Sequence, residues 1–444
     1  MDLTFGALHA VETCIKLWEL VDPRLQKLFY ELLEHLQGKL EAACSSINRV
    51  TNLSSDRSGI SVSKLKTTLF KKSVVQAVHD LEDWQRRFDP SWFLITLVAN
   101  LMVDTHLDTG SSTTDTPTRK LKQLRETINH DPKTRETSVF VDNTILSGDL
   151  HPLPWSTTYT ACVPNTAENI LVDTVTYPLG SDGDVAIAQV RDLVRSLSDS
   201  DTAEFGLLHF RGVIKAPNDR YTEFQLVFDI PPTLFDPRTL RELLLLTPPH
   251  ALNGRFRLAT QLVRSLMFVH TSGFVHKNIR PDTMVGFEEA GIPIGPSSLI
   301  GFERSRSGAV ATFLMGDSSW EKNLYRHPKR QGVYPEDRYV MQHDIYSLGV
   351  NLQPGEDLKA VHEGLVSGKS PGLVKRTLVE MATSRLPEFM GQHYTGLALA
   401  CLTCLDPGDG NLFGNEQDSA DEDGIVIGVQ YIEKILLQIE EVRV

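Results

Sequence analysis

Apolar residues recur at helical spacing through the first hundred positions. Leu25, Leu28, Phe29, Leu32, Leu33, Leu36 and Leu40 follow Asp22-Pro23, a pair suited to opening a helix. Val74, Val78, Leu81, Trp84 and Phe88 make a second stripe that stops at Asp89-Pro90, and Phe5, Leu8, Val11, Ile15 and Trp18 make a shorter first one. An apolar stretch over 92–103 follows Ser91. Several amphipathic helices with short connections predict a bundle over residues 1–105. Positions 108–118 are Thr, Ser, Gly and Asp with one Pro and read as linker, and Leu121, Leu124 and Ile128 predict one connecting helix, so that 106–137 joins two parts. The pattern then changes. Val139-Phe140-Val141, Ile170-Leu171-Val172 and Phe224-Gln225-Leu226-Val227-Phe228 are short β-prone runs, with a helical stretch over 185–197 between the second and third. After Leu252 the chain reads as mainly helical, and an acidic, glycine-bearing loop over 406–424 precedes a last helix at 429–439.

Composition adds exclusions. The 444 residues carry 41% apolar and 23% charged side chains, as globular domains do. A formal charge of −13 disfavours a general nucleic-acid binder, which needs a basic face. The five cysteines, without a basic secretory leader after Met1-Asp2-Leu3-Thr4, point to reduced thiols in the cytoplasm. Cys401 and Cys404 form one C-x-x-C with no second pair, which on a helix puts two small apolar groups on one face. The stretch over 92–103 is shorter than the roughly 20 residues a bilayer needs, and Asn100 interrupts it.

The second half carries a resemblance. Leu262-Val263-Arg264-Ser265-Leu266-Met267-Phe268-Val269-His270 runs into Gly273-Phe274-Val275-His276, and His276-Lys277-Asn278-Ile279-Arg280-Pro281-Asp282-Thr283 resembles the protein-kinase catalytic loop H-R-D-L-K-P-E-N position by position. Leu299-Ile300-Gly301-Phe302-Glu303 stands where a kinase has its D-F-G turn, and His343-Asp344-Ile345-Tyr346-Ser347-Leu348-Gly349-Val350 is similar to the D-x-W-S-x-G helix start. The resemblance implies a bilobal kinase-like fold, with a degenerate N-lobe over 138–250 and a C-lobe over 251–444. The whole chain is then multidomain, α followed by α+β. It also implies scaffold roles for His276, Asp344 and Gly349, with Asp344 accepting from the loop backbone. Tyr325-Arg326-His327-Pro328 and Tyr334-Pro335-Glu336 are two candidates for the end of the activation segment. A helical front end before such a domain resembles fungal HeLo-like/kinase-like signalling proteins and the layout of necroptosis effectors, which implies a part in regulated cell death.

The chemistry of phosphoryl transfer is missing from these positions. Asn278 stands at the catalytic aspartate, and an amide cannot accept the substrate proton. Thr283 stands at the metal-binding asparagine and Gly301 at the metal-binding aspartate, followed by Phe302 and Glu303. Between positions 136 and 190 there is no Lys or Arg to clamp phosphates, and Gly148 is the only glycine between 137 and 179, so no glycine-rich cradle forms. The expectation is a pseudokinase with no catalytic residue, cofactor or metal, whose kinase-like domain regulates the bundle. An atypical active Ser/Thr kinase, using Asp282 or Glu303, and a non-switching adaptor are the alternatives. Ser305, Ser307 and Thr312, beside Arg304 and Arg306 and opposite Lys277 and Arg280, are candidate regulatory hydroxyls. Partners are expected to be proteins, met through the bundle and C-lobe. Lys64, Lys66, Lys71 and Lys72 form a basic cluster, either a solvated face or a weak peripheral contact to anionic membrane.

Overall fold

The computed structural model describes residues 139–146, 149–178, 205–216, 221–245, 250–290, 294–302, 319–353, 370–408, 411–413 and 425–442, together with positions 187, 190, 191, 193, 194, 292, 306 and 307 and five in the first hundred. Contacts divide the chain into two units, Met1–Arg125 and Glu126–Val444. In the first unit Gln26, Lys27, Tyr30, Gln37 and Glu41 are helical, and the Gln37 amide donates to Glu41 one turn on at 2.9 Å. The stripes over 5–18 and 74–88, the apolar stretch over 92–103, the lysine cluster and the segment 106–137 lie outside the described residues.

In the second unit five antiparallel strands form a sheet. They are β1 (His151–Pro152), β2 (Thr158–Cys162), β3 (Asn169–Pro178), β4 (His209–Ala216) and β5 (Tyr221–Asp229), in the spatial order β1-β2-β3-β5-β4. The inner strand β3 is buried on both faces, with Ile170, Leu171, Val172 and Asp173 all at 0% exposure. Alternation along a strand puts Ile170 and Val172 on one face, where they join Ala161, Val163, Ile214 and Val227 in a core under Val141, Ile145 and Leu146. It puts Leu171 and Asp173 on the other. Between β3 and β4 positions 187, 190, 191, 193 and 194 are helical, with Val190, Leu193 and Val194 buried at helical spacing.

The sequence misreads some strands. Val139-Phe140-Val141 is not a strand but a bridge. The Val141 N–H donates to Val213 O and the Val213 N–H to Val139 O, both at 2.9 Å. The chain leaves this pairing at once because Asp142 Oδ1 accepts from the Thr144 N–H at 2.8 Å and turns it into the short helix Asn143–Leu146. The chain after Leu252 is not only helical: β8 (Met284–Glu289) lies between β6 (Leu234–Thr239) and β9 (Ser297–Leu299) in an antiparallel sheet. A two-residue strand β7 (Phe274–Val275) pairs with β10 (Arg306–Ser307).

Among the described residues the helices longer than one turn are α1 (Leu240–Leu245), α2 (Leu252–Thr271), α3 (Met341–Asn351), α4 (Pro371–Ser384), α5 (Leu386–Leu402, interrupted at Gly391) and α6 (Ile425–Tyr431), which continues through the π-turn Ile432–Leu436 to Glu441. Helix α2 is buried almost all round from Leu262 onward, the mark of a central helix. Its Ser265 hydroxyl reaches Phe205 O and Gly206 O at 2.8 Å, and its Gln261 side chain takes the Ser297 N–H through Oε1 at 2.8 Å at the start of β9. Gly349 lets α3 touch α5, since a Cβ there would lie 2.7 Å from Cys401 Cβ and 2.9 Å from Leu402 N. Cys401 and Cys404 are buried free thiols in this contact, and burial raises both pKa values. Among the described residues no helix is long and apolar enough to cross a membrane.

Candidate functional site

The loop that follows β7 is built on one carboxylate. Asp344, in the first turn of α3 and fully buried, accepts from the His276 N–H at 2.7 Å through Oδ2 and from the Lys277 N–H at 2.8 Å through Oδ1. The Tyr339 hydroxyl donates to Oδ1 at 2.5 Å and His270 Nε2 to Oδ2 at 3.1 Å. Burial alone would raise this carboxyl. The hydrogen bonds from His270 and Tyr339 and the neighbouring imidazoles outweigh it, so its pKa lies below the ordinary value. These bonds hold Lys277 at φ 65, a left-handed conformation a lysine rarely adopts. The Lys277 ammonium lies 5.5 Å from the Tyr339 ring centroid, and the Arg330 guanidinium lies 5.4 Å from the same centroid.

Farther along the loop every polar end has a structural use. Asn278 donates through Nδ2 to Gly301 O at 3.2 Å and accepts through Oδ1 from Arg280 Nε at 3.0 Å. The Thr283 hydroxyl donates to Asn278 O at 2.7 Å and accepts from the Arg280 N–H at 3.2 Å, closing the turn Pro281–Thr283. Asp282 is buried between two cations, with Arg280 Nη1 at 3.1 Å and Arg241 Nη1 of α1 at 3.3 Å. Arg241 in turn lies 5.8 Å from the Trp155 ring centroid. Tyr325 faces this trio, and burial first, then Asp282, raise its phenol. Tyr334 is 88% exposed, so of the two tyrosine segments it is the one at 325–328 that lies against the loop.

The turn after β9 sits beneath the loop. The Ile300 N–H donates to Thr283 O at 2.9 Å, and His276 Nε2 donates to Ile300 O at 3.1 Å. Burial pushes the His276 imidazole down to about 4, so near pH 7 it is neutral. Phe302 is buried between the His276 ring, centroids 5.0 Å apart, and Phe228 of β5 at 6.2 Å. Gly301 has φ 83, and a Cβ there would lie 2.4 Å from Thr283 Cγ2 and 3.3 Å from Asn278 Nδ2. The threonine methyl therefore fills the space that any side chain at 301 would need.

The structure thus brings together His276, Lys277, Asn278, Arg280, Thr283, Gly301, Phe302 and Asp344. Gly349 serves the α3–α5 crossing instead, and Ser307 lies in β10, paired with Phe274. Glu303, Ser305 and Thr312 lie outside the described residues. The sequence did not single out Asp173, Tyr339 or His270. Asp173 Oδ2, on β3, accepts from the N–H groups of Gly301 and Phe302, both at 3.0 Å.

As a donor set for a metal these groups fit poorly. The Asn278 amide is engaged at both ends, the Thr283 hydroxyl is committed within the loop, position 301 has no side chain, and both Asp282 oxygens are ion-paired. Among the described residues no three His, Cys, Asp or Glu side chains group as metal ligands. No protein-family model matches this chain, and no curated protein matches it.

Proposed function

We propose that residues 138–444 form a kinase-like domain without phosphoryl transfer, and that the protein is a signalling pseudokinase whose second part regulates an N-terminal helical effector or assembly region. The observation that carries the reading is the pair Asn278 and Gly301. They stand at the base and metal positions of the sequence pattern, and they are hydrogen-bonded to each other at 3.2 Å in a packed, buried contact. A group that serves as structural cement on both ends is not poised for proton or metal chemistry. Rescue by Asp282 is disfavoured by its two arginine partners, which hold the carboxylate away from any substrate.

The five-stranded antiparallel sheet followed by helices, with the Asp344 carboxylate under the loop, supports the kinase-like half of the reading. The regulatory half rests on the resemblance of the front end to HeLo-like and necroptosis proteins, and with it comes a role in regulated cell death. The setting that follows is the cytoplasm, with protein partners, and with peripheral membrane contact through the lysine cluster as its second form. Ser305, Ser307 and Thr312 would draw on Lys277 more than Arg280, because Arg280 is already held by Asn278 and Asp282.

A thermal-shift titration of the full chain with ATP, with and without magnesium, tests the nucleotide side of the reading. A ligand that binds the folded state raises its apparent stability by about 2.7 kcal/mol at a hundred times its Kd. The expected result is no shift at millimolar nucleotide. A magnesium-dependent rise would favour the atypical kinase.

A further inference from the structure

Asp173 interrupts the apolar run of β3, where an apolar residue would serve the sheet better, because burying a carboxylate is costly unless hydrogen bonds repay it. Here they do. Oδ2 receives the consecutive N–H groups of Gly301 and Phe302 at 3.0 Å each, and Oδ1 faces the Thr158 hydroxyl of β2 at 3.4 Å. Two adjacent amides converge on one oxygen because Gly301 takes the left-handed conformation, which forms an anion-holding concavity of backbone N–H groups. The turn and the strand are 128 residues apart in sequence, so nothing local requires this meeting. Just beyond, Phe302 sits between Phe228 of the sheet and His276 of the loop. A few residues further on, β10 pairs with β7.

We propose that Asp173 is a built-in latch: an internal anion that ties the five-stranded sheet to the Gly301-Phe302 turn, so that the two open as one unit and Phe302 leaves its seat only when the carboxylate lets go. The anion that organises the turn comes from the chain itself. Asp173 is a positioning residue, acting through the backbone of the turn. The inference rests on these hydrogen bonds and not on the kinase-like reading.

Native-state hydrogen exchange on the full chain tests it. In the native protein, the amides of Gly301 and Phe302 are expected to open with the same free energy as those of Val172 and Val175 in β3. In Asp173→Ala the two turn amides should exchange at least about tenfold faster, equivalent to about 1.4 kcal/mol, while amides of Leu262 to Phe268 in α2 keep their rates. Asp173→Asn, which retains one acceptor oxygen, should fall between. Turn amides that open independently of β3 in the native protein overturn the proposal, as do unchanged turn amides in a folded Asp173→Ala. If that variant does not fold, the native comparison and Asp173→Asn decide the matter.

Discussion

The Tyr339 hydroxyl donates to Asp344 Oδ1 at 2.5 Å, the same oxygen that takes the Lys277 N–H at 2.8 Å. One carboxylate oxygen therefore joins the chain ahead of α3 to the left-handed residue of the loop. Tyr339→Phe should cost about 1.5–3 kcal/mol, the worth of a buried hydrogen bond to a charged group. Asp344→Ala, which strands four donors, should cost about 3–5 kcal/mol. Urea unfolding of the variants measures both. Equal losses for the two would mean that the loop does not hang on the carboxylate.

Three buried imidazoles set an acid limit. Burial above all brings His276 and His343 down to about 4 and His327 to about 3, with Lys375 adding to the effect at His327 and Arg330 at His343. The unfolded chain titrates them near 6.5. Folded values below the unfolded one mean that their contribution is complete above about pH 6.5. It is lost as the pH falls through 5 toward 4, where the unfolded state binds the extra protons. The unfolding free energy from urea titration should drop steeply between pH 6.5 and 4.5, by about 2–3 kcal/mol per imidazole. A flat free energy across that range would place these rings in water.

Gly301 should tolerate no side chain. Gly301→Ala meets the Thr283 methyl and an unfavourable backbone conformation together, each worth about 1–3 kcal/mol. Pairing it with Thr283→Ser, which removes that methyl, should recover part of the loss. A neutral single variant would contradict the packing. Placing an aspartate at 301 meets the same obstacle, so it should not create a metal site.

The loop was legible because its chemistry is contiguous. His276 to Thr283 and the segment around Asp344 are short strings of unusual residues, and the bonding of Asp344 to the loop backbone is what their resemblance to the kinase pattern implies. Asp173 was not legible. A single acid in a β-prone run has no spacing to mark it, and its partners are far along the chain. Tyr339 and His270 converge on Asp344 from two elements, a relation that periodicity does not contain. In the fold, β3 and β5 were visible as dense β-branched and aromatic runs. The short β2, and β4 with its register shift between Phe210 and Gly212, were not. The run at 139–141 was over-read because propensity does not register the Asp142 turn that ends it.

Asn278→Asp isolates the role of that amide. The variant keeps an acceptor for Arg280 but replaces the donor to Gly301 O with a second acceptor, so a buried carbonyl loses its partner. It should lose about 1–3 kcal/mol of stability and gain no phosphate transfer. A variant that is both stable and active would show that the loop is one substitution from catalysis.

The central claim is the absence of phosphoryl transfer, and transfer of radiolabelled phosphate from ATP by the purified full chain, with magnesium and with manganese, tests it most directly. With no carboxylate base at 278, no metal ligand at 301 and no Lys or Arg between positions 136 and 190, each such loss typically costs on the order of a hundredfold or more, without simple additivity. The account predicts incorporation at the level of a no-protein control, into the chain itself and into a generic protein substrate alike. Incorporation well above that control, abolished by Asp282→Asn or Glu303→Gln, would contradict it and make the protein an atypical kinase.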